Sequence, residues 1–294
     1  MRKLSLTHLV ILLCLSVFSF STHSIASQKD SLLKIYFFDI GQGDSIFIEA
    51  PNGNQVLIDG GPDNTVIQKL GEVIPFFDKD IDLVVLTHPH LDHYNGLIEV
   101  LNRYAVANIV EAGEEAGEKG LSIGFSVWRE VVKKEGANEM EAVAGKVIDI
   151  SNGVELTTLH PLQSVAGDKP SNVHDDMVVM MLKYGKLEIM LTGDMEEKVE
   201  RRLILAGYDL DSDVLKVGHH GSKTSTSEEF LSAVSPEIAV IQVGAKNRYS
   251  HPAPEVLKRL EDYGIKVYRN DLDGDIQLVS NGIDYQIVSE RSND

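Results

Sequence analysis

Short apolar runs alternate along this chain with tight clusters of glycine, asparagine and aspartate. From Leu32 onward, "LLKIYFF" and "SIFIEA" flank "DIGQGD", and "SIFIEA" continues through Asn52-Gly53 into "QVLIDGG". An Asn-Gly pair between two apolar runs predicts a hairpin, because both residues tolerate the positive φ that such a turn requires. "DLVVLT" is short, apolar and rich in β-branched residues, the pattern of a buried strand. The second half repeats the theme, with strands expected at "KVIDI", "VELTTL", "MVVMMLKYG", "KLEIMLTG", "DVLKVG" and "EIAVIQVG". "FSVWREVVKKEGA" reads as a helix. So does "PAPEVLKRLEDYG", which puts Val256, Leu257, Leu260 and Tyr263 on one face and ends at Gly264. "KVYRND", "DIQLVS" and "YQIVS" close the chain, with turns at Asp273-Gly274 and Asn281-Gly282. No linker rich in Pro, Gly or Ser divides the chain after residue 26, so the pattern predicts one α/β domain of two sheets covered by helices.

The start of the chain differs. "MRK" is basic, "LVILLCLSVFSF" is apolar, and "SIAS" offers a small-residue cleavage site near Ala26, the layout of a secretory signal peptide over residues 1–26. The apolar run is short for a bilayer span, so no stable anchor is expected after cleavage, and the mature protein is expected to be secreted or periplasmic. An uncleaved N-terminal anchor is the alternative. Cys14 lies deep in the run without the small residues that precede a lipidated cysteine, so a lipoprotein is not expected. Cleavage removes Arg2, Lys3 and Cys14, leaving 25 lysines and arginines (27 − 2) against 45 acids, a net charge of −20. Without a thiol, disulfides and cysteine metal ligands are excluded, and any metal must be held by histidine and carboxylate. So negative a chain repels polyanions at long range, and tight non-specific DNA binding would require a locally positive site.

Chemistry concentrates at the ends of the apolar strands. "HPHLDH" follows "DLVVLT" directly, so His88, His90, Asp92 and His93 emerge where ligands gather in α/β folds. In extended backbone His88 and His90 share one side, while Asp92 and His93 on the following turn can face a second point nearby. Neutral imidazoles with a carboxylate suit a divalent metal such as zinc or manganese. "IMLTGD" places Asp194 at a second strand end, and "VLKVGHHGS" places His219 and His220 at a third. A polar surface loop with accidental histidines is the plainer alternative for the first cluster, and recurrence of the same ligand types at three strand ends weighs against it.

"LTHPHLDHYNGL" resembles the HxHxDH signature of the metallo-β-lactamase superfamily. With "FFDIGQGDSIFIEAPNGNQVLIDGG", "LTGDM", "LKVGHHGSKTSTS" and "NRYSHPAPEVLKRL" it resembles, in order and from about residue 35 to 279, the hydrolase domain of ComEC-type competence proteins. The resemblance implies a four-layer αββα sandwich, as a single hydrolase domain over residues 27–294, with one or two divalent metals at the sheet edges. By position, His88, His90, Asp92 and His93 match the first ligand cluster, and Asp194 the carboxylate that bridges two metals. His219 or His220 matches the last histidine. His219, nearer the strand end, is favoured as ligand, with His220 its neighbour in the site. Asp59 in "LIDGG" resembles the aspartate that braces the ligand loop, or else caps a turn. The middle ligand departs from the pattern, because "SNVHDDMVVMML" offers His174, with Asp175 as substitute, where ComEC-type domains often carry asparagines. His174 is thus either a metal ligand or a solvated loop histidine. His160 is expected to be structural.

Taken together, a metal-activated water would attack a phosphodiester, and a second metal would stabilise the leaving oxygen. Asp92, His220 and Lys223 are the expected catalytic residues: Asp92 orients the nucleophile or accepts its proton, and Lys223 in "GSKTSTS" suits phosphate oxygens. "GSKTSTS" also reads as a helix start capped by Ser or Thr. His251, with Arg248 and Tyr249 nearby, either reaches the site from another loop or sits on a surface turn. A phosphodiester, DNA included, is the expected substrate. A small carboxylic ester or lactone on the same metals is one alternative, and a non-catalytic binding module on the same fold is another.

Overall fold

The computed structural model describes residues 32–113, 122–151, 153–169 and 172–291, so the expected signal peptide and Cys14 lie outside the described residues. Among the described residues no helix is long and apolar enough to cross a membrane.

Two sheets carry the fold, and each half of the chain builds its sheet in the same way. In the first half, β1 (Leu33–Phe37), β2 (Ile46–Glu49) and β3 (Gln55–Ile58) form an antiparallel meander with Phe37 opposite Ile46 and Ile46 opposite Ile58. Parallel strands β4 (Asp80–Val85), β5 (Ala105–Glu111) and β6 (Asn138–Glu141) follow, reached across α1 (Thr65–Val73), α2 (Leu91–Leu101) and α3 (Ser122–Glu135). In the second half, β7 (Val147–Ser151), β8 (Val154–His160), β9 (Val179–Tyr184) and β10 (Leu187–Leu191) are antiparallel. Parallel β11 (Val214–Lys216), β12 (Ile238–Ile241) and β13 (Lys266–Arg269) follow, alternating with α4 (Glu197–Ala206), α5 (Glu228–Val234) and α6 (Pro254–Asp262). After a short α7 (Asn270–Asp273), where a turn was expected, the chain crosses back. β14 (Ile276–Ser280) pairs with β1, Leu33 opposite Ser280, and β15 (Tyr285–Ser289) lies outside it. The sheets therefore read β15-β14-β1-β2-β3-β4-β5-β6 and β13-β12-β11-β10-β9-β8-β7.

Alternation along the strands produces the layers. Ile46, Ile48, Val56, Ile58, Leu83 and Val85 point into a core shared with Val178, Met180, Leu182, Ile189 and Leu191 of the opposing sheet. Their neighbours Phe47, Leu57 and Val84 point outward, against Leu70 of α1, Leu97 of α2 and Trp128 of α3. On the far side Met190, Leu215 and Ile241 pack under Leu203 of α4, Phe230 of α5 and Val256 of α6. A period of two sends successive side chains to opposite faces, so each inner strand is apolar throughout. The result is helix, sheet, sheet, helix: the expected αββα sandwich.

One close approach fixes where α2 begins. A Cβ on Gly96 would fall 1.9 Å from the Gly60 carbonyl oxygen, and one on Gly60 would fall 2.5 Å from Leu97 N. Only glycine at both positions lets the first turn of α2 lie on the loop after β3, where Gly60 N donates to the His93 carbonyl at 2.7 Å and Gly96 N to that of Gly61 at 3.0 Å. Asp92 and His93, expected on a turn, are thus in the first helical turn. The ends of β4, β10, β11 and β12 bring the chemistry to one edge of the sandwich.

Candidate metal centre

Three imidazoles meet first. His88 Nε2 lies 2.9 Å from His90 Nδ1, and His174 Nε2 lies 3.1 Å from that same Nδ1. Around one zinc at its usual bond length, nitrogens sit about 3.3 Å apart, so this trio is close to the spacing that one ion imposes. A second trio, Asp92, His93 and His220, offers ligand atoms within 4.8 Å of one another. Asp194 stands between them. Its Oδ2 is 3.8 Å from His88 Nε2, 3.3 Å from His93 Nε2, 3.4 Å from His220 Nε2 and 3.9 Å from His219 Nε2.

Several of these atoms are buried without a hydrogen-bond partner, among them His93 Nε2, His220 Nε2 and Asp194 Oδ1. Orphaned buried nitrogens and oxygens that converge on one space are costly unless a cation satisfies them. The donor set is nitrogen and carboxylate, as a divalent metal requires, so the residues fit the ion that the fold family binds.

Charge is arranged accordingly. Burial drives His88 well below the ordinary histidine range and, aided by the neighbouring His174 and His93, His90 to about 4. Burial also lowers His174. In the second trio burial is outweighed: the carboxylates of Asp194 and Asp59 lift His93 well above its ordinary value, and those of Asp194 and Asp44 push His220 up to about 10. Burial raises Asp92, but the His220 hydrogen bond and the charge on His93 prevail and hold it at about 2.

His93 and His220 are braced from behind. Asp59 is buried at a φ of 58°. Its Oδ1 accepts from Thr87 N at 2.8 Å, and its Oδ2 from Thr87 Oγ1 at 2.7 Å and from His93 Nδ1 at 2.7 Å. Asp59 therefore points His93 Nε2 at the centre, the bracing alternative rather than a mere turn cap. Replacing Asp59 with asparagine is expected to weaken metal affinity by about 10- to 100-fold, as loss of an outer partner of a ligating histidine does. Competition against a metal-sensitive dye would measure it, and unchanged affinity would show that Asp59 serves folding alone. His220 Nδ1 donates to the Gln242 carbonyl at 2.9 Å and lies 3.2 Å from Asp44 Oδ1. Asp44 in turn pairs with Lys216, whose Nζ also donates to the Gly193 carbonyl at 3.0 Å.

A model of the metallo-beta-lactamase superfamily matches residues 38–245, most of the chain. The chain belongs to that superfamily. It is 34% identical over 83% of its length to ComE operon protein 3 of Bacillus subtilis (strain 168), of which it covers 32%. It is 30% identical over 94% of its length to Competence protein ComA of Neisseria gonorrhoeae, of which it covers 36%. The protein thus spans about a third of these relatives, and the expected resemblance to competence proteins holds. Among solved structures, Igni18, a metallo hydrolase from Ignicoccus hospitalis KIN4/I, superposes with a TM-score of 0.53 at 17% identity, over 84% of this chain and 98% of that one. This likeness is one of fold.

Within that family frame, the two adjacent histidines separate. His220 faces Asp92 and His93, while His219, favoured from the sequence, falls in a trio with His174 and Asp194. Positive φ at both residues (47° and 53°) turns the chain so that the more distant histidine swings under the site. Asp175 pairs with Lys198, away from the trios. His160 is buried and donates from Nδ1 to the Met177 carbonyl at 2.8 Å, the structural role expected. The turn directs Ser225 inward to the Gly218 carbonyl, and Lys223 lies exposed on a surface pocket with Glu196, Lys198 and Arg201. Ser227 caps α5, accepting from Phe230 N. His251 approaches only the rim, its ring 5.9 Å from that of His219.

Sequence reasoning assigned no role to Asp44, Lys216 or Glu196. Glu196 Oε1 stands 3.7 Å from His174 Nδ1 and 3.4 Å from His219 Nδ1, an outer partner for both. Lys216 carried a readable signal: a charge inside the apolar run "DVLKVG" requires a buried counter-charge.

Proposed function

We propose that this protein is an exported metal-dependent phosphodiesterase, a nuclease of the ComEC-like type that acts on DNA or a smaller phosphodiester. The observation carrying this reading is the position of Asp194, one carboxylate oxygen within 3.8 Å of ligand atoms from both trios. A carboxylate so placed suits two ions at the separation that phosphoester cleavage exploits. In this reading His88, His90 and His174 would hold one zinc or manganese ion, and Asp92, His93 and His220 would hold the other. Asp194, within reach of both trios, would be available to either ion, and His219 lies beside His174. The name Competence protein ComA attaches competence to that relative, and the likeness supports DNA as substrate here.

Bound there, a divalent metal would supply an activated water near neutral pH and polarise the phosphoryl oxygens. The chain's own groups do the rest. Asp92, ionised at any physiological pH, orients the nucleophile and makes a poor proton acceptor. Asp59 and Asp44 hold the rings of His93 and His220 in fixed tautomers. Substrate enters where Asp92 meets a cleft of about 600 Å³.

Metal uptake is expected to depend on pH differently at the two trios. His220 is a cation at pH 7.5 because its pKa is raised to about 10, and it must lose that proton to ligate. His88, His90 and His174 are lowered and already neutral. Filling the second trio should therefore release about one proton or more, and its affinity should rise with pH up to about 10. Titration calorimetry in two buffers of different ionisation enthalpy reads this directly, and a proton-silent second event would contradict it.

Turnover of bis(p-nitrophenyl) phosphate after zinc or manganese loading, beside p-nitrophenyl acetate, tests the function. Diester turnover supports the reading. Turnover of the carboxylic ester alone would replace it. Export is checked by the N-terminus of the protein recovered outside the cytoplasm, expected near residue 27.

A further inference from the structure

The cleft that opens on Asp92 has a floor and walls of unlike chemistry. Lys246, Arg248, Tyr249 and Leu91 line it, all exposed. Among the described residues neither Lys246 nor Arg248 pairs with a carboxylate, in a chain whose net charge is strongly negative. Tyr249 is 53% exposed and Leu91 52%, and both line the cleft. A flat ring, an exposed leucine and two unpaired cations together suit a ligand that is part apolar plane and part polyanion.

The loop is built to hold that ring still. Asn247 spends its whole amide on closing it: Nδ2 donates to the carbonyls of Gly244 and His251, at 2.9 and 2.8 Å, and Oδ1 accepts from the amides of Tyr249 and His251, at 3.2 and 2.9 Å. Tyr249 then stacks on His251, centroids 5.8 Å apart at 16°, and His251 leads to His219 and so to Asp194. Arg248 covers the tyrosine ring at 5.2 Å and donates to its hydroxyl at 3.0 Å.

We infer that Tyr249, Arg248 and Lys246 form a subsite for an unpaired nucleotide of a single-stranded polynucleotide entering the metal centre. The inference rests on the phosphodiesterase reading and narrows its substrate. A base takes the place of Arg248 on the ring, and Arg248 turns to the adjacent phosphate, with Lys246 beside it. Duplex DNA is disfavoured, because its bases are already stacked and the acidic surface repels its length.

Binding of a fluorescein-labelled oligothymidylate and of an abasic strand of equal length, read by anisotropy on the full chain in EDTA, tests this, with KM for the same strands on the metal-loaded protein. The wild type should favour the base-bearing strand by about ten-fold, the size of one base–aromatic stack. Tyr249→Ala should erase that preference in both readouts, and Tyr249→Phe and Tyr249→Trp should keep it. Equal binding of the two strands by the wild type, or a preference that survives in Tyr249→Ala, overturns the inference. A Tyr249-dependent preference in a protein that cleaves neither strand nor bis(p-nitrophenyl) phosphate upholds the subsite and overturns the phosphodiesterase reading.

Discussion

Replacing Asp194 with alanine is expected to abolish hydrolysis, lowering turnover of bis(p-nitrophenyl) phosphate by about a thousand-fold or more. Asp194 is the one carboxylate oxygen near four imidazoles, and it is 2% exposed, so water cannot replace it on the same terms. Burial raises its pKa, but the charges of His220 and His93 outweigh that and hold it well below the usual range, so it is an anion throughout. Without it His93 and His220 each lose one of the carboxylates that lift them, and the two trios lose the carboxylate that stands between them. Bound metal, counted by elemental analysis, should fall with activity. A variant that kept both ions and turned over at a tenth of the wild-type rate would show that Asp194 is not the shared ligand.

Lys216→Met is expected to cost about 3–5 kcal/mol of stability, the penalty for leaving one charge of a buried pair alone. Lys216 and Asp44 are 0% and 2% exposed and in direct contact, and Asp44 also faces His220. Burial would raise Asp44, but Lys216 and His220 keep its carboxyl below the usual range, and only part of that compensation survives the substitution. Adding Asp44→Asn removes the stranded charge, so the double variant should regain part of the loss while its second metal binds less tightly. Urea unfolding followed by the fluorescence of Trp128, the single tryptophan, separates these outcomes. A loss below about 1 kcal/mol for Lys216→Met would mean the pair is structurally dispensable.

The layers and the first ligand cluster were legible because a buried strand followed at once by histidines leaves little else to infer. β4 and β11 end this way, and β10 leads instead to Asp194. What escaped has physical causes. α2 starts inside the ligand motif and contains Gly96, a poor helix former kept there by the contact with Gly60. β6 is an edge strand, "NEME", with almost no apolar signal. α4 follows "LTGDM" with a largely charged sequence, and only Val199, Glu200 and Leu203 of it are buried. Which of His219 and His220 faces Asp92 and His93 depends on backbone conformation. Alternation holds in extended chain, and two consecutive residues at positive φ break it. Lys223 is exposed on a surface pocket with Glu196, a placement that proximity in sequence does not specify.

The count of divalent ions per chain, by native mass spectrometry on the zinc- or manganese-loaded mature protein beside His90→Ala and His220→Ala, tests the two-trio site most directly. Two ions in the wild type and one in each variant is the expected result, since each substitution strikes a different trio. A single ion in the wild type that only one of the two variants loses, or none at all, would contradict a centre built from two trios around Asp194.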